Sequence, residues 1–495
     1  MNRNIIVAIS LVVFTTLLFI PWLNRPFTGH HDFVGAFNSQ MARNYLRYGF
    51  VTTKLGQVTN FGQAKPEEFT YHTHHPPGVP LMLALVYAIF GEQEWVARGL
   101  MAGFSLGSVW LYILIISQAA PLAITATAGL LMVISPLFIY PSILPVYEAP
   151  ALFLLLLQLY SFSRFAKTKR PKYWLIFIAA VIAGNVAAWV TYFGLPILTA
   201  NELRQRKPEF LKKLLLLQIV SVGFFFLHLA HTKYLTGDWF GGGLGEVFLK
   251  RVTSQGETDS RYVYSNTKYI VKVADRLKNY YGLPLLAISI IGLLRLWTSM
   301  NQKLVNAAIL LATIALILPV IFRNYVFVHD YTLFYTSPLI GFMAALGIDQ
   351  LVNWTGKVTG GLNSAGRNIY AIAAVSLILI TILATRSMWQ DLKESISWDE
   401  TSFIIGRKLR QTTLPNQNIF VVNPGLKEEE VNLGYYADRK ITYPDSSVQS
   451  VGNMGDPDAI VIIVSDRQFK PEAKQELLKS YRIETDQGVE YYYRK

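Results

Sequence analysis

Apolar stretches long enough to cross a membrane recur along this chain of 495 residues and constrain its fold more than any other feature. A hydrocarbon core of about 30 Å takes roughly 20 residues of α-helix. Lipid offers the backbone no hydrogen-bond partners, so such stretches satisfy their own amide and carbonyl groups as helices. We therefore predict a mainly α-helical, polytopic membrane domain with about eleven spans. The candidate stretches lie at about 5–23, 98–118, 121–140, 149–163, 174–188, 189–200, 214–231, 284–297, 304–322, 332–350 and 368–387. The pair at 174–200 is short and interrupted by Gly184, Gly194 and Pro196, so it is either two crossings or one broken hairpin.

The composition changes after the last of these stretches. Residues 1–387 contain 31 Lys and Arg against 15 Asp and Glu, whereas residues 388–495 contain 14 against 17. The second segment also has strand-like apolar runs at 419–423 and 459–465 between polar residues. Two domains are therefore predicted, a transmembrane domain at 1–387 and a small soluble α/β domain at 388–495.

The basic residues predict how the chain is oriented in the membrane. The apolar stretch at 79–90 has only twelve residues, about half of a crossing, and is predicted to be an interfacial or re-entrant helix. With that assignment, most basic loops fall on the cytoplasmic side, as the positive-inside rule requires. The segments 24–97 and 232–283 and the C-terminal domain then lie outside the cytoplasmic membrane. The net charge of +13 is explained by this rule and by contacts with membrane lipids, so it does not indicate nucleic-acid binding.

A polar segment between the first two spans collects groups that could do chemistry. Five of the eight histidines lie there, together with Asp32. Apolar residues recur at intervals of three and four over 34–48, which predicts an amphipathic helix on the outer leaflet. Asp32 is then either the N-cap of this helix or a reactive carboxylate that faces a lipid-borne substrate. The two roles are compatible.

The same histidines allow a second interpretation. His31, His72 and His74 are candidates, with Asp32, for the imidazole and carboxylate ligands of a zinc ion. A zinc-dependent membrane hydrolase is therefore one alternative. The spacing is not that of a helical pair of histidines four residues apart, and we predict that no metal is required. The chain has no cysteine, so thiolate ligands and disulfides are excluded.

Several short motifs resemble those of the GT-C glycosyltransferases, in particular the branch with protein O-mannosyltransferases and aminoarabinose transferases. The matching segments are His31-Asp32-Phe33, His74-His75-Pro76-Pro77-Gly78, Phe90-Gly91, Ala97-Arg98, and Ser135-Pro136-Leu137 leading to Glu148. The resemblance implies that a sugar moves, with inversion, from a polyprenyl-phosphate donor to an acceptor hydroxyl outside the cytoplasm. The acceptor could be a protein, a glycolipid or a polysaccharide. Asp32 would be the general base and Glu148 would lie near the sugar.

The departing lipid phosphate needs cationic partners. The family commonly has a lysine before its Pro-Pro, where this chain has His75. Arg98, Arg323 and His329 are the further candidates for the phosphate. Each arginine could instead be an interfacial anchor with its charge in water, and Glu148 could simply be hydrated at a membrane edge.

A transporter or flippase for a lipid-linked or anionic substrate is the second class of function that these residues allow. Transporters usually contain internal repeats and bind their substrates near the middle of the bilayer. Here we find no repeat, and the ionisable residues gather near one face of the predicted membrane domain. The sequence therefore favours a transferase.

Overall fold

The computed structural model describes residues 3–205, 208–241, 244–253, 263–297, 299, 301–358, 364–393, 397–415, 417–422, 430–442, 460–464, 475, 478, 481–486 and 489–494. Parts of the predicted outer segment 232–283 and of the predicted C-terminal domain therefore lie outside the described residues.

Helices make up most of the described chain. In chain order they are α1 (Arg3–Leu23), α2 (Phe33–Tyr48), α3 (Gly78–Phe90), α4 (Glu94–Ile116), α5 (Leu122–Val133), α6 (Pro136–Ile143), α7 (Glu148–Thr168), α8 (Pro171–Ala187), α9 (Gly194–Arg204), α10 (Leu211–Thr236), α11 (Leu244–Thr253), α12 (Asn266–Tyr281), α13 (Leu283–Trp297), α14 (Gln302–Ile321), α15 (Arg323–Val328), α16 (Ser337–Val358), α17 (Ser364–Ala384), α18 (Arg386–Lys393), α19 (Ser397–Thr412) and α20 (Glu430–Ala437).

Two small sheets complete the described structure. The strands are β1 (Gln57–Val58), β2 (Tyr71–His72), β3 (Asn418–Val422), β4 (Lys440–Thr442), β5 (Ile460–Val464), β6 (Tyr481–Asp486) and β7 (Val489–Arg494). β1 and β2 form an antiparallel pair. The other five form one mixed sheet in the order β4-β3-β5-β7-β6, in which β3 runs parallel to β4 and β5.

The described chain contains six to nine segments long and apolar enough to span a membrane. Six are single helices, and three are pairs of helices bent by 63°, 105° and 49°. The structure therefore agrees with a polytopic helical protein. Among the described residues the number of candidate spans is at most nine, two fewer than the eleven predicted, because the stretches at 174–188 and 189–200 form α8 and α9, which have only 17 and 11 residues. The predicted short helix at 79–90 is α3, with 13 residues.

The chain divides into two compact units. The first contains Met1–Asn24, Thr73–Met82 and Trp95–Lys393. The second contains Arg25–His72, Leu83–Glu94 and Glu394–Lys495, so the C-terminal sheet shares its unit with the segment that follows α1. The domain boundary at residue 388 stays a prediction.

Close contact between α13 and α16 holds part of the first unit together. A Cβ atom on Gly292 would meet the backbone oxygen of Met343, and one on Gly347 would meet the backbone oxygen of Ile288. Small residues of this kind let two membrane helices approach until their backbones touch. The absence of side chains at these two positions therefore sets the distance between the helices.

We expect Gly347→Ala to lower the free energy of unfolding by about 1–3 kcal/mol, the usual cost of forcing an extra methyl group into a well-packed interface. The backbone of Ile288 cannot move aside as a flexible side chain could. Thermal unfolding of the detergent-purified protein measures the effect. Gly223→Ala in α10 is the matched control, because a Cβ there meets nothing within 4 Å. Equal stability of the two variants would contradict this account of the packing.

The second unit has its own apolar core between the sheet, α19 and α20. Its members are Ile405, Leu409, Ile419, Val421, Leu433, Ala437 and Tyr491. The strand-like runs predicted from the sequence correspond to β3 and β5.

Helix α2 also belongs to the second unit, and it is far more enclosed than an amphipathic surface helix. Its polar side chains Asn38, Gln40, Arg43 and Asn44 are buried. Asn44 donates to the carbonyl oxygens of Val58 and Asn60 at 2.9 Å each. The prediction that the polar side of this helix is exposed on a membrane surface is therefore wrong, because these side chains are buried and Asn44 donates its hydrogen bonds inside the protein.

Candidate active site

A cavity of about 440 Å³ lies within the first unit. Most of its wall is apolar or aromatic, with Trp189, Phe193, Phe225, Leu229, Phe248 and Phe322 among the lining residues. A few polar groups interrupt this wall, among them His75, Glu148, Arg251 and Tyr325. An apolar cavity with few convergent polar groups is the usual form of a ligand site, in which the polar groups fix the orientation of the ligand.

His75 and Arg251 form a pair on the cavity wall. The guanidinium Nη1 of Arg251 lies 3.1 Å from Nε2 of His75, and the guanidinium carbon lies 4.4 Å from the centre of the Tyr325 ring. The imidazole of His75 stacks on the ring of Tyr147 at 4.1 Å with an angle of 11° between the planes. Because aromatic rings hold both groups in place, the pair is a rigid source of hydrogen-bond donors for an anion.

Glu148 supplies the negative charge of the same cavity. It is the first residue of α7 and only 3% exposed. The Tyr325 hydroxyl donates to its Oε1 at 3.1 Å, whereas Oε2 has no hydrogen-bond partner among the described residues. A buried carboxylate oxygen without a donor is costly, so this atom is suited to accept a hydrogen bond from a ligand hydroxyl.

Three of the predicted phosphate-binding residues do not line this cavity in the described structure. Arg323 donates to the side chain of Asn266 at 2.7 Å and lies over the ring of Tyr269. The ring of His329 packs 5.2 Å from the ring of Tyr325, and Arg98 is buried on α4. Their contact with phosphate stays a prediction, whereas His75 and Glu148 lie on one wall with Arg251.

Asp32 lies in the second unit, in the turn before α2. Its side chain makes no capping hydrogen bond to the helix, although the residue occupies the N-cap position. Instead, Oδ2 accepts the backbone N–H of Gly29 at 2.8 Å, and the Asp32 N–H donates to the carbonyl of Gly29 at 3.0 Å. The preceding residue, His31, has a positive φ of 56°, a conformation that costs energy in a residue with a side chain. A strained turn therefore holds the carboxylate, which makes no capping hydrogen bond to α2.

The remaining histidines of the predicted metal set are distributed between the two units. His72 lies in β2, where its ring meets Phe37 edge-on at 5.1 Å. His74 lines the cavity, and its carbonyl oxygen accepts the indole N–H of Trp189 at 2.7 Å. The interpretation of His31, His72 and His74 as zinc ligands stays a prediction.

Arg251 is the cavity residue that the sequence analysis missed. It belongs to α11, where Leu244, Val247, Phe248 and Arg251 follow one another at intervals of three, one and three residues. Such spacing places all four on one helical face, and all four line the cavity. An arginine that continues an apolar face is the signal that could have identified it.

Comparison with known proteins supports these observations. Residues 74–229, less than half of the chain, match the family described as dolichyl-phosphate-mannose-protein mannosyltransferase. A search of curated proteins found no significant match.

Solved structures resemble the whole chain. The crystal structure of ArnT from Cupriavidus metallidurans bound to undecaprenyl phosphate has 14% sequence identity and a TM-score of 0.60, and the alignment covers 99% of this chain and 97% of that one. The apo state of the same protein has 14% sequence identity and a TM-score of 0.56, and the alignment covers 98% of this chain and 97% of that one. The apo oligosaccharyltransferase of Archaeoglobus fulgidus has 13% identity and a TM-score of 0.54, with 88% of this chain aligned to 64% of that protein.

The structural likeness shows that the chain has the GT-C fold, as the sequence motifs predicted. The family match over residues 74–229 agrees with this fold, and the candidate spans among the described residues make the chain a multi-pass membrane protein. The alternative of a transporter is not favoured by these comparisons.

Proposed function

We propose that the protein transfers a sugar from a polyprenyl-phosphate donor to an acceptor hydroxyl outside the cytoplasmic membrane, with inversion at the anomeric carbon. The observation that carries this proposal is the His75–Arg251 pair on the wall of an otherwise apolar cavity. A polyprenyl phosphate is an amphiphile with one anionic head on a long hydrocarbon. Its phosphate matches the pair, and its isoprene chain matches the aromatic wall.

The phosphate carries more negative charge after transfer than before, because the bond between the anomeric carbon and the phosphate oxygen breaks and its electron pair stays on that oxygen. A fixed guanidinium stabilises the developing charge without the reorganisation that water would need. Arg251 therefore takes the role that a lysine before Pro-Pro commonly has in the family, with His75 as its partner. ArnT from Cupriavidus metallidurans, which has a similar fold, was crystallised with undecaprenyl phosphate, the lipid that such a donor would leave after transfer.

Glu148 is proposed to hold the sugar. Its unpartnered Oε2 can accept a hydrogen bond from a sugar hydroxyl, while Tyr325 fixes the other carboxylate oxygen. Because Tyr325 also lies under the guanidinium of Arg251, one tyrosine orients both the proposed sugar contact and the proposed phosphate contact.

Asp32 is proposed as the general base. As the acceptor oxygen forms its bond to the anomeric carbon, its proton moves to the Asp32 carboxylate, so the attacking group stays neutral. The N–H of Gly29 holds this carboxylate in the turn before α2, and a general base needs such a fixed position. We also propose that no resident metal is required, because a departing monophosphate can be stabilised by a guanidinium alone.

The proposed orientation places the active site and the C-terminal domain on the outer side of the cytoplasmic membrane. The identity of the acceptor follows from an experiment on the source organism. In a deletion strain, mass spectrometry of extracted carrier lipids should show a sugar-loaded polyprenyl phosphate accumulating, and the same sugar should disappear from a surface protein, glycolipid or polysaccharide. An unchanged carrier-lipid pool and an unchanged set of surface glycans would contradict the proposed reaction.

A further inference from the structure

Helix α20 holds the chain that leads to Asp32. The hydroxyl of Tyr436 on this helix accepts the backbone N–H of Phe27 at 2.7 Å and donates to Oε1 of Glu94 at 3.0 Å. Phe27 is fully buried and Tyr436 is only 6% exposed. Both contacts lie within the second unit. A single hydroxyl therefore joins the segment before Asp32 to Glu94, the first residue of α4.

Aromatic packing also holds Phe27 and Tyr436 in place. The ring of Phe27 packs against the ring of Tyr435 at 5.7 Å, and the ring of Tyr436 meets Phe403 of α19 edge-on at 4.7 Å. The backbone and the side chain of Phe27 are thus both held by α20. From Phe27 the chain needs only two residues to reach Gly29, whose N–H holds the Asp32 carboxylate.

The same C-terminal end of α20, with Asp438 just beyond it, also holds the helix that Asp32 opens. Arg43 and Arg47 lie one turn apart on α2. Arg47 binds the carboxylate of Asp438 at 2.6 Å, and Arg43 lies 3.3 Å from the same carboxylate and donates to the carbonyl oxygen of Tyr435 at 2.8 Å. Burial opposes the charge of Asp438, but the nearby arginines outweigh it and hold its pKa below the ordinary value. Ion pairs and a hydrogen bond therefore join α2 to the C-terminal end of α20.

We propose that α20 positions the catalytic base, and that Tyr436 is a positioning residue that acts through Asp32. The inference rests on the proposed role of Asp32. A displacement of about 1 Å at a reacting group can cost on the order of 100-fold in rate. The turn from Phe27 to Asp32 is short and internally bonded, so a shift at Phe27 is transmitted to the carboxylate.

The hydroxyl of Tyr436 keeps its proton for this task. Burial, followed by the charge of Glu94, raises the pKa of Tyr436 well above its ordinary value. Phenylalanine at this position would preserve the ring packing but would leave both the Phe27 N–H and the Glu94 carboxylate without this partner.

Tyr436→Phe in the full-length, detergent-purified protein tests the proposal. We expect kcat to fall by about 10- to 100-fold while the KM for the donor changes less than twofold, because a displaced base slows chemistry and leaves donor binding intact. Tyr435→Phe is the matched control, since it removes the neighbouring hydroxyl and keeps the ring that packs on Phe27. Thr413→Val is a second control, because it breaks a buried hydrogen bond from Arg439 in the same unit, away from residues 27–32. Both controls should keep kcat within about threefold of the parent protein.

A double-mutant cycle separates positioning from general damage. If Tyr436 acts through Asp32, the residual activity of Asp32→Asn should not fall further when Tyr436→Phe is added. An equal loss in both backgrounds would overturn the positioning role, and so would a normal kcat for Tyr436→Phe beside an inactive Asp32→Asn. Full activity of Asp32→Asn would instead overturn the assignment of the base, on which this inference rests.

Discussion

Asp32→Asn is expected to reduce sugar transfer by about 10²- to 10⁴-fold, the usual contribution of a general base. Asparagine is nearly isosteric with aspartate, and its side-chain oxygen can still accept the N–H of Gly29 that holds the carboxylate. The substitution therefore removes the proton acceptor without removing the local structure. The loss should appear in kcat, because donor binding is assigned to the cavity of the first unit.

The measurement has two parts. In the deletion strain, a plasmid that encodes Asp32→Asn should leave the loaded carrier lipid at the level of the strain without any copy, whereas the parent gene should restore it. The purified variant should bind undecaprenyl phosphate and unfold at the same temperature as the parent. A variant that transfers sugar at more than about a tenth of the parent rate would rule out Asp32 as the base.

The elements of this fold that could be predicted are those whose signal lies in a short stretch of sequence. The spans could be predicted because a run of about 20 apolar residues is sufficient evidence of a membrane helix. The short α3 was equally readable from its length. The segment 174–200 was harder. Gly184, Gly194 and Pro196 interrupt its apolar residues, which allows either two crossings or one broken hairpin, and the structure has a break at Ala188 and a 3-10 turn at Trp189–Phe193.

The polar face of α2 could not be predicted correctly for a different reason. A helical wheel shows which residues share a face, but it does not show what covers that face. Asn44 and Gln40 bond to the backbone around Asn60. Arg43 reaches Glu92, 49 residues away in the sequence, and Tyr435, 392 residues away. Contacts of this kind exist only once the chain has folded, so they leave no trace in periodicity.

The residues of the candidate site also divide into those that could be predicted from the sequence and those that could not. Glu148 was found because the family resemblance implies an acidic residue there, and because an acidic residue at the edge of an apolar span is a functional candidate. Arg251 was not found, although it continues an apolar helical face. Its contact with His75, 176 residues earlier in the chain, forms only when the chain folds. Arg323 was predicted because it opens an outer loop beside a predicted span, and the structure pairs it with Asn266.

Arg251→Ala is expected to weaken binding of undecaprenyl phosphate by about 10- to 100-fold, since a hydrogen bond to a charged group contributes about 1.5–3 kcal/mol. Binding of undecaprenol, which has the same hydrocarbon and no phosphate, should not change. Thermal stabilisation of the purified protein by each lipid measures both affinities. Arg251→Lys keeps the charge but not the forked donors, so it should recover only part of the loss.

Arg323→Ala is the matched control for the removal of one arginine, because Arg323 does not line the cavity. If the cavity holds the phosphate, Arg323→Ala should bind undecaprenyl phosphate as the parent protein does. If Arg323→Ala loses affinity and Arg251→Ala does not, the phosphate site lies where the sequence first suggested and the cavity has another ligand. Equal losses for undecaprenol and undecaprenyl phosphate in Arg251→Ala would mean that Arg251 supports the aromatic wall through Tyr325 rather than the anion, because only a contact with phosphate discriminates between the two lipids.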